Sequence, residues 1–320
     1  MKSFIINSND AGQRVSKFIE KTVPALPQGL LYKSFRLKRI KLNKKRCQPQ
    51  DRLSQGDLLE LYINDEFFGE GRQDLVFLKV PDRIQVVYED QNILLVDKKP
   101  GLVVHEDDDN TPDTLINRIL HYLYNKGEYQ PDAEQSFVPA LCNRIDRNTG
   151  GIVIAAKNAE TLRILNEKIR DHEIEKSYLC ITVGRPNPPR GRIEGFLLKD
   201  EAKKQVTFYR RPVPGGKTAV TLYETLETRG PLSLVECRLL TGRTHQIRVS
   251  MAQIGCPLLG DGKYGNGAVN RSYHETRQAL YSYKLAFTFP TDAGILSYLR
   301  GREFTMSEVP FREKYFSKHL

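Results

Sequence analysis

The chain reads as an α+β protein in two parts, and three observations on its 320 residues lead there. Runs with the spacing of amphipathic helices are mixed with short strand-like runs in no regular strand-helix-strand order, which favours a largely antiparallel sheet over a doubly wound one. The length exceeds the roughly 100 to 200 residues of a single domain. The charge is also uneven: residues 1–64 hold 13 Lys/Arg against 5 Asp/Glu, a net +8 out of the total of +10, so the remaining 36 and 34 nearly cancel. Such an asymmetry describes an electrostatic binding module attached to a near-neutral body.

Composition excludes other classes. With 39% hydrophobic and 28% charged residues the chain is globular and soluble. No apolar run approaches the roughly 18 residues of a membrane-spanning helix, and the N-terminal apolar stretch is too short for a signal peptide, so a cytoplasmic protein is expected. Five cysteines (Cys47, Cys142, Cys180, Cys237, Cys256) without a Cys-x-x-Cys pair suggest neither a disulfide framework nor a zinc knuckle. Cys142, four residues before Asp146, is expected to be a packed thiol.

In order along the chain, Val15, Phe18, Ile19 and Val23 fall at helical spacing, Pro24 and Pro27 interrupt, and a second helical piece spans residues 30–35. It leads into eight cations without an intervening acid: Lys33, Arg36, Lys38, Arg39, Lys41, Lys44, Lys45 and Arg46. Ile40 and Leu42 alternate as a short strand with lysines facing water, and Gly56-Asp57 turns the chain before a strand carrying Leu59, Leu61 and Ile63. These cations suit phosphate contact, or else form a solvated basic face. Residues 1–64 are thus a first domain. Residues 65–83, with Gly69, Gly71 and Pro81 and no apolar period, read as a flexible linker.

Residues 84–320 form the second domain. Strand-like runs at 84–88 and 93–96 precede a helix over 113–123 with Leu115, Ile119 and Leu123 on one face. Residues 143–151 read Asn143-Arg144-Ile145-Asp146-Arg147-Asn148-Thr149-Gly150-Gly151, one carboxylate between two guanidinium groups, closed by a glycine pair. The apolar run of residues 151–156 that follows is short enough for a buried strand, which would hold Asp146 at the mouth of a rigid element. Such a carboxylate is open to three readings: nucleophile, metal ligand, or centre of a solvated salt-bridge cluster. Leu162, Leu165 and Ile169 mark a helix, and residues 178–183 a strand. Gly215-Gly216-Lys217-Thr218 is not a phosphate-binding loop, because the first glycine of that motif would fall at Arg211. Val235, Cys237 and Leu239 alternate in a half-buried strand, and Ile247, Met251 and Ile254 line a helix, which leaves Arg243 on the turn between them.

The 143–151 segment resembles the His-Arg-Leu-Asp-Arg-x-Thr-Ser-Gly signature of the RluA family of RNA pseudouridine synthases, with Asn143, Ile145 and Gly150 as departures. Lys176-Ser177-Tyr178 resembles the family's Lys-x-Tyr segment. Thr241-Gly242-Arg243-Thr244-His245-Gln246-Ile247-Arg248 is similar to its Thr-Gly-Arg-x-His-Gln-Leu-Arg, although Ser250 and Cys256 stand where the family often has His. Gly260-Asp261-Gly262-Lys263-Tyr264-Gly265 is similar to its Gly-Asp-x-Lys-Tyr-Gly loop. Ala11-Gly12-Gln13-Arg14, the Ile40 to Asn43 hairpin and Gly56-Asp57 resemble an S4 RNA-binding domain. The resemblance implies a pseudouridine synthase fold with a mixed, largely antiparallel sheet, and isomerisation of uridines in RNA, with large-subunit ribosomal RNA as the substrate. It implies Asp146 as nucleophile, Tyr178 against the uracil, Arg243 as the cation paired with Asp146, and Arg144 in the gap left by a flipped base. Arg147 joins Arg144 and the eight N-terminal cations as RNA contacts. Neither cofactor nor metal is implied, and a monomer is expected. A glycosidase using Asp146 with a distant carboxylate such as Asp261, a catalytically silent RNA-binding protein, and tRNA as the substrate are the competing readings.

Overall fold

The structure, a computed structural model, describes residues 1–68, 75–106 and 111–316. The N-terminal part contains β1 (Lys2–Ile5), α1 (Val15–Thr22), α2 (Gln28–Arg36), β2 (Ile40–Leu42), β3 (Lys45–Arg46) and β4 (Leu58–Leu61). Its strands form an antiparallel sheet in the order β1-β4-β2-β3. The helical spacing of Val15, Phe18 and Ile19 presents one apolar face of α1. That face is buried with Ile6, Leu31, Phe35, Ile40 and Leu59 in a core whose buried residues lie between 6 and 63, with Phe4, Phe67 and Phe68 packed against it. The β2-β3 hairpin turns through Asn43 and Lys44, both at positive φ (51° and 65°), the backbone a two-residue turn with the right strand twist needs.

The second part contains β5 (Val86–Glu89), β6 (Ile93–Lys98), α3 (Leu115–Asn125), β7 (Ala140–Leu141), β8 (Gly150–Ala156), α4 (Ala159–Arg170) and β9 (Ile174–Val183). It continues through β10 (Arg190–Asp200), β11 (Gln205–Tyr209), β12 (Lys217–Arg229), β13 (Leu232–Leu239), α5 (Gln246–Gln253), α6 (Gly267–Ser272), β14 (Leu280–Phe287), β15 (Glu303–Thr305) and α7 (Pro310–Tyr315). The sheet runs β11-β10-β12-β13-β9-β14-β8-β6-β5, with β15 on β14 and β7 on β8. The β14-β8 pair is parallel and the other pairs between these strands are antiparallel, so the sheet is mixed and largely antiparallel, as expected.

β8 reads as an unbroken apolar run because both of its faces are covered. Ile152 and Ile154 pack with Ile93, Leu95, Leu165 of α4 and Phe287, while Val153 and Ala155 pack with Leu94, Val96 and Leu115, Ile119 and Leu123 of α3. Both helices begin at capping side chains: Thr114 accepts from Asn117 N and Asn158 from Thr161 N.

The linker expectation for residues 65–83 needs correcting at both ends: Asp65–Phe68 form a 3-10 turn whose Phe67 and Phe68 pack against the N-terminal core. Gly69 and Gly71 lie outside the described residues, but Val76–Lys79 form a 3-10 turn whose Phe77 is buried against Tyr124 and Tyr129. The Val80 carbonyl also lies 2.7 Å from His121 Nδ1. Leu75, Phe77 and Val80 are apolar residues without a helix or strand period, so periodicity passes over them, yet they anchor to α3. The two parts meet through polar contacts between the β1-α1 loop on one side and residues 134–136 and α4 on the other. Asn9 Nδ2 donates to Glu134 Oε1 (2.8 Å) and Asn9 Oδ1 accepts from Ala159 N (3.2 Å). Gln13 Nε2 donates to Ser136 Oγ (2.8 Å), and Arg163 Nη1 to the Ala11 carbonyl (2.7 Å).

Candidate active site

Asp146 lies in the loop between β7 and β8, and that loop is pinned on both sides. Buried Asn143 accepts a hydrogen bond from Ile154 N of β8 (2.8 Å), and Thr149 N donates to the Asp146 carbonyl (3.0 Å). The Arg147 carbonyl accepts from Gly101 N (2.8 Å) and from Lys98 Nζ (2.9 Å). Lys98, at the end of β6, is 1% exposed, and its ammonium also reaches the carbonyls of Lys99 (3.2 Å) and Leu102 (2.7 Å). Three N–H donors thus meet three acceptors. Burial pulls its pKa down to about 7, with Asp146 and Asp97 pulling the other way.

The cation beside Asp146 is Arg248, and the expected pairing with Arg243 is corrected. Arg248 Nη1 donates to Asp146 Oδ2 (2.9 Å), while its Nε and Nη2 hold Asp261 (2.7 and 2.9 Å). Arg243 is exposed on the rim and donates through Nε to the Thr218 carbonyl (3.0 Å). The reason is local. Buried Gln246 accepts from Arg243 N (3.0 Å) and Thr241 Oγ1 (2.8 Å), and donates to the Val220 carbonyl and Thr221 Oγ1 (3.0 Å each). This locks the turn with Arg243 outside, whereas Arg248 enters with the buried body of α5. Burial works against the charge of Arg248, but Asp261 and Asp146 raise its pKa above the ordinary guanidinium value. Asp261 is fully buried; burial would raise its pKa, but Arg248 and the N–H groups of Lys263 and Tyr264 outweigh that and lower it. A buried Arg spanning two carboxylates in this way holds both oxygens of Asp261 and Oδ2 of Asp146.

These groups border a cleft of about 790 Å³ lined by Arg144, Asp146, Arg147, Tyr178, Arg243 and His245 among others. Tyr178, on β9, is 6% exposed, and burial pushes its phenol up to about 12, Asp146 adding to the effect and a hydrogen bond with Ser282 opposing it. It is a neutral phenol at physiological pH. Lys176 lines the same cleft two residues earlier on β9, on the same side of the strand, its pKa lowered by burial. Arg144 and Arg147 are exposed. The structure therefore brings Asp146, Tyr178, Arg144, Arg147 and Arg243 to one cleft. Lys33, Arg36, Lys38, Arg39, Lys41, Lys44, Lys45 and Arg46 do not line it. They sit on α2, on the connection that follows it and on the β2-β3 hairpin, all exposed except half-buried Lys41, whose Nζ lies 4.9 Å from the Tyr62 ring centre.

Sequence reasoning missed Arg248, Lys98 and His245. The available signal for Arg248 was a charge inside the otherwise uncharged helix Gln246–Gln253, since a buried guanidinium requires carboxylates around it. Asp261 is not available as a second glycosidase carboxylate, because it is fully buried and held by Arg248.

A model of the RNA pseudouridylate synthase family matches residues 92–253, which contain Asp146, Tyr178 and Arg248. An uncharacterized RNA pseudouridine synthase of Mycoplasma genitalium is 32% identical over 89% of this chain and 88% of its own length. The ribosomal large subunit pseudouridine synthase D of Neisseria meningitidis (serogroup A) is 30% identical over 90% of this chain and 75% of its own, and synthase C of Escherichia coli 29% over 91% and 89%. The fold is shared with human RNA pseudouridylate synthase domain containing 4, at a TM-score of 0.56 and 22% identity over 71% of this chain and 88% of that one. With the family match running from β6 through α5 and the cleft assembled inside it, the chain belongs to the RNA pseudouridylate synthase family.

Proposed function

We propose that this synthase converts uridines of large-subunit ribosomal RNA to pseudouridine with Asp146 as the nucleophile. The observation that carries the reading is one cleft carboxylate anchored through Oδ2 by a buried arginine, which leaves Oδ1 for chemistry. A carboxylate nucleophile has to be ionised where it attacks, and a neighbouring guanidinium favours that form against the cost of desolvation. In the step assigned to it, Oδ1 forms a bond to the ribose carbon as the C1′–N1 bond breaks and the electron pair leaves with the uracil. After the base turns, C5 takes that position, the carboxylate is released, and the C5 proton is exchanged for one on nitrogen. No atom is gained or lost.

Tyr178 stacks on the uracil as a neutral phenol. Arg144 enters the space of the flipped nucleotide, which recovers part of the few kcal/mol that flipping costs. Arg243 and Arg147 take phosphates at the rim rather than the nucleophile. Residues 1–64 act as an S4-like RNA-binding domain, and residues 84–320, together with the packed turn at Phe77, as the catalytic domain of a cytoplasmic monomer. Ribosomal RNA is favoured over tRNA by the names of the Neisseria and Escherichia relatives. Retention of Asp146, Tyr178 and a buried arginine partner favours an active enzyme over a silent binder. Asp146→Asn is expected to abolish tritium release from uridine-labelled RNA while leaving RNA affinity within about threefold. Turnover within about tenfold of wild type would remove Asp146 from this role. Pseudouridine mapping of ribosomal and transfer RNA from cells lacking the protein identifies the substrate.

A further inference from the structure

We infer that His245 is a positioning residue for Asp146, held by Tyr264 as the neutral imidazole that carries its proton on Nε2. This rests on Asp146 as the nucleophile. His245 is the residue before α5 and has a left-handed backbone (φ 55°, ψ 17°), a conformation uncommon outside glycine. The backbone cost is retained at a position whose ring is directed into the cleft. One ring nitrogen, Nδ1, lies 2.8 Å from Tyr264 Oη, and the other, Nε2, lies 3.9 Å from Asp146 Oδ2, the oxygen already held by Arg248.

The proton positions follow from the partners. Tyr264 Oη accepts a hydrogen bond from Val206 N of β11 (2.8 Å), so its own proton is left for Nδ1. The opposite arrangement, with Nδ1–H donating to the phenol, would turn the Nε2 lone pair towards a carboxylate. A proton on Nε2 is attracted there instead. The result is a directed pair of hydrogen bonds, Val206 N–H to Tyr264 Oη and Tyr264 O–H to His245 Nδ1, that leaves Nε2–H facing Asp146 Oδ2 at 3.9 Å, an electrostatic contact longer than a hydrogen bond. The Tyr264 ring is further fixed by the Arg248 guanidinium 5.2 Å from its centre and by the imidazole at 5.6 Å, edge to face.

Chemically, a neutral N–H does what a second cation would not. Arg248 already supplies the counter-charge, and another full charge on the same carboxylate would weaken it as a nucleophile. A dipole directed at Oδ2 from 3.9 Å biases the plane of the carboxylate that Arg248 holds, and with it the direction of Oδ1, without that loss. Burial lowers the pKa of His245, with Asp146 and Asp261 opposing and Arg248 and Lys263 reinforcing, so the ring is neutral at working pH. Acid converts it to the second cation.

The test uses the full-length enzyme in single turnover at saturating RNA. His245→Ala is expected to lower the rate by about tenfold to a hundredfold, the scale of a misdirected reacting group, with RNA affinity within about threefold. Tyr264→Phe, which keeps the ring but not the proton, is expected to lower it by about threefold to tenfold. His245→Gln, whose amide can accept from Tyr264 and donate towards Asp146, is expected to recover most of the rate and to lack the fall in activity expected of wild type on acidification below the ordinary histidine value. In nitrogen-15 spectra at neutral pH, the signals absent from His245→Gln are those of a ring protonated on Nε2. Wild-type rates in His245→Ala and Tyr264→Phe alongside a dead Asp146→Asn would overturn the inference and leave the nucleophile reading standing, and so would a ring protonated on Nδ1. An active Asp146→Asn would overturn both.

Discussion

Arg248 carries the charge balance of the cleft, because one guanidinium serves two carboxylates by different edges: Nε and Nη2 face Asp261, and Nη1 faces Asp146. Arg248→Met would leave Asp261 buried with the N–H groups of Lys263 and Tyr264 but without a counter-charge, at a cost of about 3–5 kcal/mol, so loss of folding would accompany loss of activity. Arg248→Lys is the more informative change, since an ammonium is a single point charge and cannot span both groups. It is expected to fold and to lose at least about a hundredfold in rate at saturating RNA. Arg243→Met, on the rim, should keep that rate within about threefold and weaken RNA binding instead. Single-turnover rates and binding curves for the two variants check this, and the reverse order of effects would return the counter-ion role to Arg243. The sequence singled out Asp146 as a carboxylate between arginines before a buried strand but left its role open among three readings, and the family resemblance chose among them. The choice between Arg243 and Arg248 was not legible. Residues 246–251 of α5 are all buried, so no amphipathic period told which positions point inward.

At the scale of elements, β8 and β14 place the Asp146 loop beside the strand that carries Tyr178, because β14 pairs with β8 on one side and with β9 on the other. Gly151 makes the approach possible. Its φ is 109°, and a Cβ there would lie 2.2 Å from the Ser282 carbonyl oxygen. Gly151→Ala is therefore expected to destabilise the protein by roughly 3 kcal/mol or more, measured by urea unfolding, and a loss under about 1 kcal/mol would mean the strands can separate cheaply. Lys98, at the end of β6, gives a pH signature. Its pKa in the folded protein, about 7, lies below the ordinary 10.5, so unfolding takes up a proton in the interval between them. Stability must then rise with pH between about 7 and 10, by up to roughly 2 kcal/mol over two units, and Lys98→Met should lack that rise. Urea titrations of both proteins at pH 7 and 9 test it; parallel behaviour would show that Lys98 stays charged throughout. The glycine pair and the apolar run were readable locally. The pairing with β14 was not, because a contact between residues 151 and 282 leaves no trace in either segment's own pattern.

For the whole molecule, the charge asymmetry foretold where the cations lie, and the polar seam between the two parts escaped sequence reading because Asn9, Gln13, Glu134 and Ser136 follow no period. That seam affects how the role of residues 1–64 should be tested. Deleting them would strip partners from Glu134, Ser136 and Arg163 as well as removing charge, and the two effects would be confounded. Neutralising exposed cations leaves the seam and the core of residues 6–63 in place, so Arg36, Lys38, Lys44 and Lys45 changed together to Gln is the cleaner variant. Each phosphate contact on single-stranded RNA contributes about 0.7 to the slope of log affinity against log salt. With these four as contacts, the slope should flatten by about two to three units and binding at low salt should weaken by at least about tenfold. Conversion at saturating RNA should stay within about threefold of wild type, because none of the four lines the cleft and phosphate contacts position the RNA without taking part in the chemistry. Two salt titrations on one RNA decide the matter. Equal slopes would make the basic surface of α2 and the β2-β3 hairpin a solvated face, and a collapse of conversion at saturation would mean that this surface helps to build the reacting complex across the seam.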